Sequence, residues 1–128
     1  MTVIAVLVGG LLGTALRLGF DAILPHADDT FPLSTLILNI VGSFVLAVLV
    51  SRVWDRAAPW LRAGLGTGLL GSFTTFSAVA VAFVSLTEAN RLWLAIVYVV
   101  VSVILGLLAA WAGLRLGRAV PSIDGGDE

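Results

Sequence analysis

The 128-residue chain contains no cysteine and a single histidine, His26. Without cysteine it forms no disulfide and offers no thiolate to a metal. His26 stands beside Pro25, with Asp28 and Asp29 close behind, which reads as a polar turn rather than a ligand set. Charge is equally scarce: charged residues make up 12% of the chain, against roughly 25% in a soluble domain. A net charge of −1 with no basic cluster argues against nucleic acid as a partner. The opening stretch has no basic flank, and no small-residue cleavage site follows Arg17 and Asp21, so it is not read as a cleaved leader.

What fills the chain is apolar surface, 59% of its residues. Charge-free runs at 30–51, 63–87 and 92–114 each satisfy the length of about 20 residues that a spanning helix needs. A fourth run, 2–24, is interrupted only by Arg17 and Asp21. The chain is therefore expected to be an all-α membrane protein, a single domain of four transmembrane helices at about 2–24, 33–53, 62–86 and 92–116. Residues 118–128 are read as a short disordered tail.

The third run is the unusual one. Gly64, Gly66, Gly68 and Gly71 lead into Ser72-Phe73-Thr74-Thr75-Phe76-Ser77. Glycine weakens a helix, and Ser and Thr offer the backbone competing hydrogen bonds. In hydrocarbon, irregular backbone survives only where it is buried in protein or lines a polar cavity. Two readings stand: a helix broken near its middle, whose bare carbonyls could hold an ion, or a continuous helix with a glycine packing face.

The other spans carry few polar groups. In the first, Gly9 and Gly13 have the four-residue spacing that lets helices approach closely. Arg17 has Asp21 one turn on as a possible ion-pair partner; the alternative is a vestibule cation that draws anions inward. On the second span Asn39, Gly42, Ser43 and Ala47 share one face. Asn39 offers two N–H donors and an acceptor, either as glue between helices or as a pore amide. On the fourth span Tyr98, Ser102 and Gly106 follow at four-residue spacing, and a tyrosine hydroxyl at that depth needs a partner. Trp54 and Trp60 suit interfacial anchoring.

The buried polar inventory is thus Asn39, Ser43, Ser72, Thr74, Thr75, Ser77, Tyr98 and Ser102, all neutral and nearly all able to donate. A proton-coupled small multidrug exporter would be expected to carry a mid-membrane ionisable group, and an enzyme a base or metal triad. Neutral donors and positive aromatic edges suit a small, strongly hydrated anion. Four short helices leave little internal room, so a path needs a second subunit.

Three segments carry a resemblance: Gly9-Gly10-Leu11-Leu12-Gly13-Thr14-Ala15-Leu16-Arg17, Leu36-Ile37-Leu38-Asn39-Ile40-Val41-Gly42-Ser43-Phe44, and Gly71-Ser72-Phe73-Thr74-Thr75-Phe76-Ser77. In this order within four short helices, they make the chain resemble the CrcB/Fluc family of fluoride channels. The resemblance implies an antiparallel, inverted-topology dimer in the membrane with two fluoride pathways along the subunit boundary. It also implies passive export of fluoride that enters acidified cells as HF, and a structural, non-transported sodium ion. Carried over by residue, the sodium carbonyls are those of Gly71 and Thr74. The pore lining is Asn39, Ser43, Thr75, Phe76, Tyr98 and Ser102, with Arg17 in the vestibule. The family's second pore phenylalanine has Val79 in its place, and the last position of the polar track is Gly106.

The partner is therefore a second copy or a related, oppositely oriented subunit; a proton-coupled exporter and a non-conducting assembly subunit remain competing hypotheses. Arg52, Arg56, Arg62, Arg115 and Arg118 fall on the side of the termini, against Arg91 and, near its edge, Arg17. By the positive-inside rule this bias favours cytoplasmic termini. A reporter fused to the C-terminus is expected to score cytoplasmic in most copies; equal scores on both sides would mark a dual-topology chain.

Overall fold

The computed structural model describes residues 1–24 and 30–119, so the turn around His26, Asp28 and Asp29 and the tail beyond Ala119 lie outside the described residues. The described residues form helices alone, four of them long and apolar enough to cross a membrane. The first span is Thr2–Ile23, the second Leu33–Arg52, the third Pro59–Glu88 and the fourth Leu92–Ala119. The third span opens on proline, whose missing N–H costs nothing in a first turn. It reverses into the fourth through Asn90, which adopts a left-handed φ of 59°, a region asparagine tolerates.

The third span is in two halves. Pro59–Arg62 is α-helical, Ala63–Leu70 winds as a π-helix, and Gly71–Phe73 closes a last α turn. Thr74 (φ −92°, ψ 150°) and Thr75 (φ −158°, ψ 130°) are extended, and the helix resumes at Phe76–Glu88. Of the two readings left open by the sequence, the break is therefore present, and the glycine packing face exists as well, just before it. Long π segments are rare, and π turns often mark functional sites.

Glycine decides which helices touch. A Cβ on Gly9 would strike the Gly64 carbonyl oxygen, and one on Gly13 the Leu69 carbonyl oxygen. From the other side, a Cβ on Gly68 would come within 2.7 Å of the Val6 oxygen. The first span thus lies backbone to backbone on the π-helical half of the third. The same device joins the second and fourth spans, where a Cβ on Gly113 would sit 2.5 Å from the Phe44 oxygen and one on Gly117 would meet Ser51. Trp54, in the second loop, lays its ring on Gly66.

The second half of the third span packs on the fourth. Between them and the second span lies the core: Leu36, Val79, Leu86, Ala95 and Tyr98, with Phe31 edge-on to the Tyr98 ring at 5.1 Å. The third span therefore bridges two helix pairs, and its break falls at the crossing.

Because the atom facing Gly13 is main-chain, it has no side-chain freedom to yield. Gly13→Leu is expected to destabilise the protein by about 1–3 kcal/mol or more, lowering its melting temperature in detergent. Gly19→Leu, where a Cβ meets nothing within 4 Å, should melt like the parent.

Candidate ion-binding break and polar cavity

Breaking a helix frees carbonyls in the turn before the break and N–H groups in the turn after it. In an unbroken span the N–H of Thr75 would close on Gly71 O, that of Ser77 on Phe73 O and that of Ala78 on Thr74 O. Each is redirected or replaced here. Thr75 N donates to Asn39 Oδ1 at 2.9 Å, and Ala78 N donates to Thr75 Oγ1 at 3.4 Å, a side-chain cap on the second half. Phe73 O accepts from Arg17 Nη1 at 3.3 Å. Thr74 N keeps its helical bond to Leu70 O at 2.9 Å, and its hydroxyl bonds back to the same oxygen at 2.8 Å. The carbonyls of Gly71 and Thr74 thus lose their helical donors.

Asn39 grips the break from the second span. Besides accepting from Thr75 N, it donates from Nδ2 to Thr75 O at 3.0 Å. Thr75 presents one donor and one acceptor, so a single orientation of the amide satisfies both. The amide nitrogen carries a second hydrogen, which is not engaged by either bond. The glue role and the pore role weighed for Asn39 are therefore not exclusive: most of the amide is spent on structure, and one N–H is left over.

Arg17 does not make the local ion pair that its spacing from Asp21 suggests. Its guanidinium turns to the Phe73 carbonyl, and the Asp21 carboxylate accepts instead from Ser34 Oγ at 2.8 Å. Arg17 and Asp21 both line an open cavity of about 590 Å³. Gly71, Thr74, Thr75 and Thr35 line it too, so hydroxyls and freed backbone share one polar space with the arginine. Arg17 therefore lines the polar space and also ties the first span to the break.

The remaining residues divide between core and surface. Tyr98 is fully buried, and its hydroxyl and that of Ser102 have no hydrogen-bond partner of good geometry among the described residues. Thr35, 5% exposed, is a hydroxyl neighbour of the phenol, as is Ser102. Thr35 extends the row of Asn39 and Ser43 by one turn, a continuation visible in the spacing but not singled out there. Ser43 is half-buried on the second span and does not line the cavity. Phe76 is 73% exposed on the single chain, whereas Val79 is 3% exposed inside the core beside Tyr98. Phe83, two turns beyond Phe76, packs against that core as well.

Four membrane-spanning helices, one interrupted at mid-length with its backbone held by side chains of two others, define a small multi-pass membrane protein with a built polar break. Residues 4–114 match the family described as CrcB-like protein, Camphor Resistance (CrcB), and the chain belongs to that family. It is similar to fluoride-specific ion channel FluC 2 of Geobacillus kaustophilus, with 41% identity over 116 residues, covering 88% of this chain and 90% of the relative. It is also 40% identical over 119 residues to fluoride-specific ion channel FluC of Paracoccus denitrificans, covering 93% and 96% of the two chains. Fluoride-specific ion channel FluC 1 of Desulfitobacterium hafniense is 44% identical over 96 residues, or 73% of this chain and 84% of that one.

The two glycines nearest the break are expected to respond in opposite ways. A Cβ on Gly42 would strike the Thr74 methyl, which the bond from Thr74 Oγ1 to Leu70 O holds in place. Gly42→Ala should therefore cost about 1–3 kcal/mol. At Gly71 a Cβ meets only Gly66 O, at 3.5 Å, so Gly71→Ala should stay within about 0.5 kcal/mol of the parent. Melting of the detergent-solubilised monomer checks both.

Proposed function

We propose that this chain is a subunit of a fluoride-specific channel that lowers cytoplasmic fluoride by passive export, and that it is not an enzyme. The observation that carries the proposal is the match, at about 40% identity over nearly the whole chain, to relatives named fluoride-specific ion channels. The chemistry of the chain supports it: the side chains of the break itself are neutral donors, and the polar space beside them is shared by one cation, Arg17, and by Asp21, whose carboxylate accepts from Ser34 Oγ. Fluoride exchanges water for hydroxyls, an amide N–H and aromatic edges. Asn39, Ser43, Thr75, Phe76, Tyr98 and Ser102 line its path.

The pathway is completed by a second chain of opposite orientation in the bacterial plasma membrane, surrounded by lipid. Phe76, bare on the single chain, gains its neighbours there. The arginine bias and Val79 favour a related subunit over a second copy, since a partner can supply the ring that this chain lacks. The favoured orientation keeps both termini in the cytoplasm.

A structural sodium ion sits at the break. The fit rests on the Gly71 and Thr74 carbonyls, which have lost their helical donors. Among the described residues no group of three His, Asp or Glu side chains converges, so an ion there meets neutral main-chain oxygen. Such ligands suit a monovalent cation better than calcium or magnesium, which recruit carboxylates. When bound, the ion supplies fixed positive charge beside the anion path.

Proteoliposomes test the proposal. Fluoride efflux is expected from liposomes containing this chain with its oppositely oriented partner. Phe76→Ile should reduce it about tenfold, the equivalent of losing roughly 1.4 kcal/mol of aromatic-edge contact. Full flux from this chain alone, with mixed orientation, would replace the related partner by a second copy. Drug transport driven by a pH gradient, without fluoride flux, would overturn the channel reading.

A further inference from the structure

We infer that Asn39 is a positioning residue for the cation at the break: its side-chain oxygen holds the Thr75 N–H away from Gly71 O and so keeps that carbonyl open to the ion. The inference rests on the cation reading above and deepens it.

Three of the carbonyls that precede the break have different fates. Phe73 O is covered by Arg17 at 3.3 Å. The natural donor to Thr74 O, Ala78 N, is taken by the Thr75 hydroxyl within the third span itself. Gly71 O is the one whose freedom depends on another helix, because its donor, Thr75 N, is held by Asn39 Oδ1 at 2.9 Å. Asn39 also fixes the far side of the same residue, through Nδ2 to Thr75 O at 3.0 Å. Thr75 is thereby pinned in its extended conformation (φ −158°, ψ 130°).

Without the acceptor, the part-buried Thr75 N–H would lose its partner in the protein, which favours its return to the closest oxygen in sequence reach. In helical geometry that oxygen is Gly71 O. The cation would then compete with a hydrogen bond for its own ligand. Linkage makes the effect reciprocal: an ion on Gly71 O favours the state in which Thr75 N–H belongs to Asn39. That state orients the amide and its remaining N–H. The cation thus sets the direction of an anion-facing donor without touching the anion.

Two substitutions separate this role from general packing. Asn39→Asp is isosteric and keeps an oxygen for Thr75 N–H while losing the donor to Thr75 O. Asn39→Leu has similar bulk and keeps neither. The readout is melting temperature of the purified protein against sodium concentration, with a large organic cation holding ionic strength constant. The parent and Asn39→Asp are expected to be stabilised by sodium over a similar concentration range. Asn39→Leu should need about tenfold more sodium, the factor equivalent to one net hydrogen bond. If Asn39→Leu does not fold, Asn39→Ala, which also removes the acceptor, decides: a weakened sodium response supports the inference and an unchanged one overturns it. A responsive parent with an unchanged Asn39→Leu overturns the inference alone. A parent indifferent to sodium overturns the cation reading, and this inference with it.

Discussion

Backbone polar groups have no water to bond to in a bilayer, and the interruption at Thr74 and Thr75 exposes them at mid-span. The arrangement of the chain follows from how that exposure is met. The second span supplies Asn39, the first supplies Arg17, and Thr75 caps the second half of its own span. Three helices are thereby tied to one point by directional bonds, whereas elsewhere, apart from the bond from Ser34 to Asp21, they meet through shape. Without those partners, a broken helix in lipid would cost several kcal/mol for each unsatisfied group.

Shape is supplied by glycine. Gly9, Gly13, Gly64 and Gly68 bring the first span onto the third, and Gly113 and Gly117 bring the fourth onto the second. Lipid tails compete with leucine for apolar surface, so helices in a membrane gain from close backbone approach and from fixed polar contacts. The two resources are used in different places here: bare backbone along the helix pairs, and hydrogen bonds at the crossing. The buried hydroxyls of Tyr98 and Ser102 are the exception, enclosed without hydrogen-bond partners of good geometry among the described residues.

Much of this was legible from residue types. Run lengths fix the number of spans, because the bilayer sets one length for every helix. The crowding of glycine and hydroxyls around Gly71 marks the place as unusual without choosing a break over a continuous glycine face, and Gly9 with Gly13 marks a close contact. The particular partners were not legible. Arg17 and Asp21 are one turn apart, and spacing alone suggests that they pair; only the tertiary arrangement shows that Phe73 O and Ser34 compete for them and win. The π-helical stretch was invisible for a related reason, since glycine spacing does not distinguish one helical winding from another. Asn39 read equally well as glue or as pore amide because its two bonds reach Thr75, remote in sequence. Val79 shows the limit of a motif position: its place in the core is set by packing against Tyr98 and Leu36, which no local pattern encodes.

The order of the helix pairs bears on how the protein is made. The first span lies mainly on the π-helical half of the third, and the second lies mainly on the fourth, while the first and second touch each other little. A chain emerging from its N-terminus therefore places two helices in the membrane before either has its main neighbour. When the third arrives it pairs with the first, and its second half must wait for the fourth. Assembly is interleaved: no hairpin of consecutive spans is a finished unit, except where the last two fold back on each other.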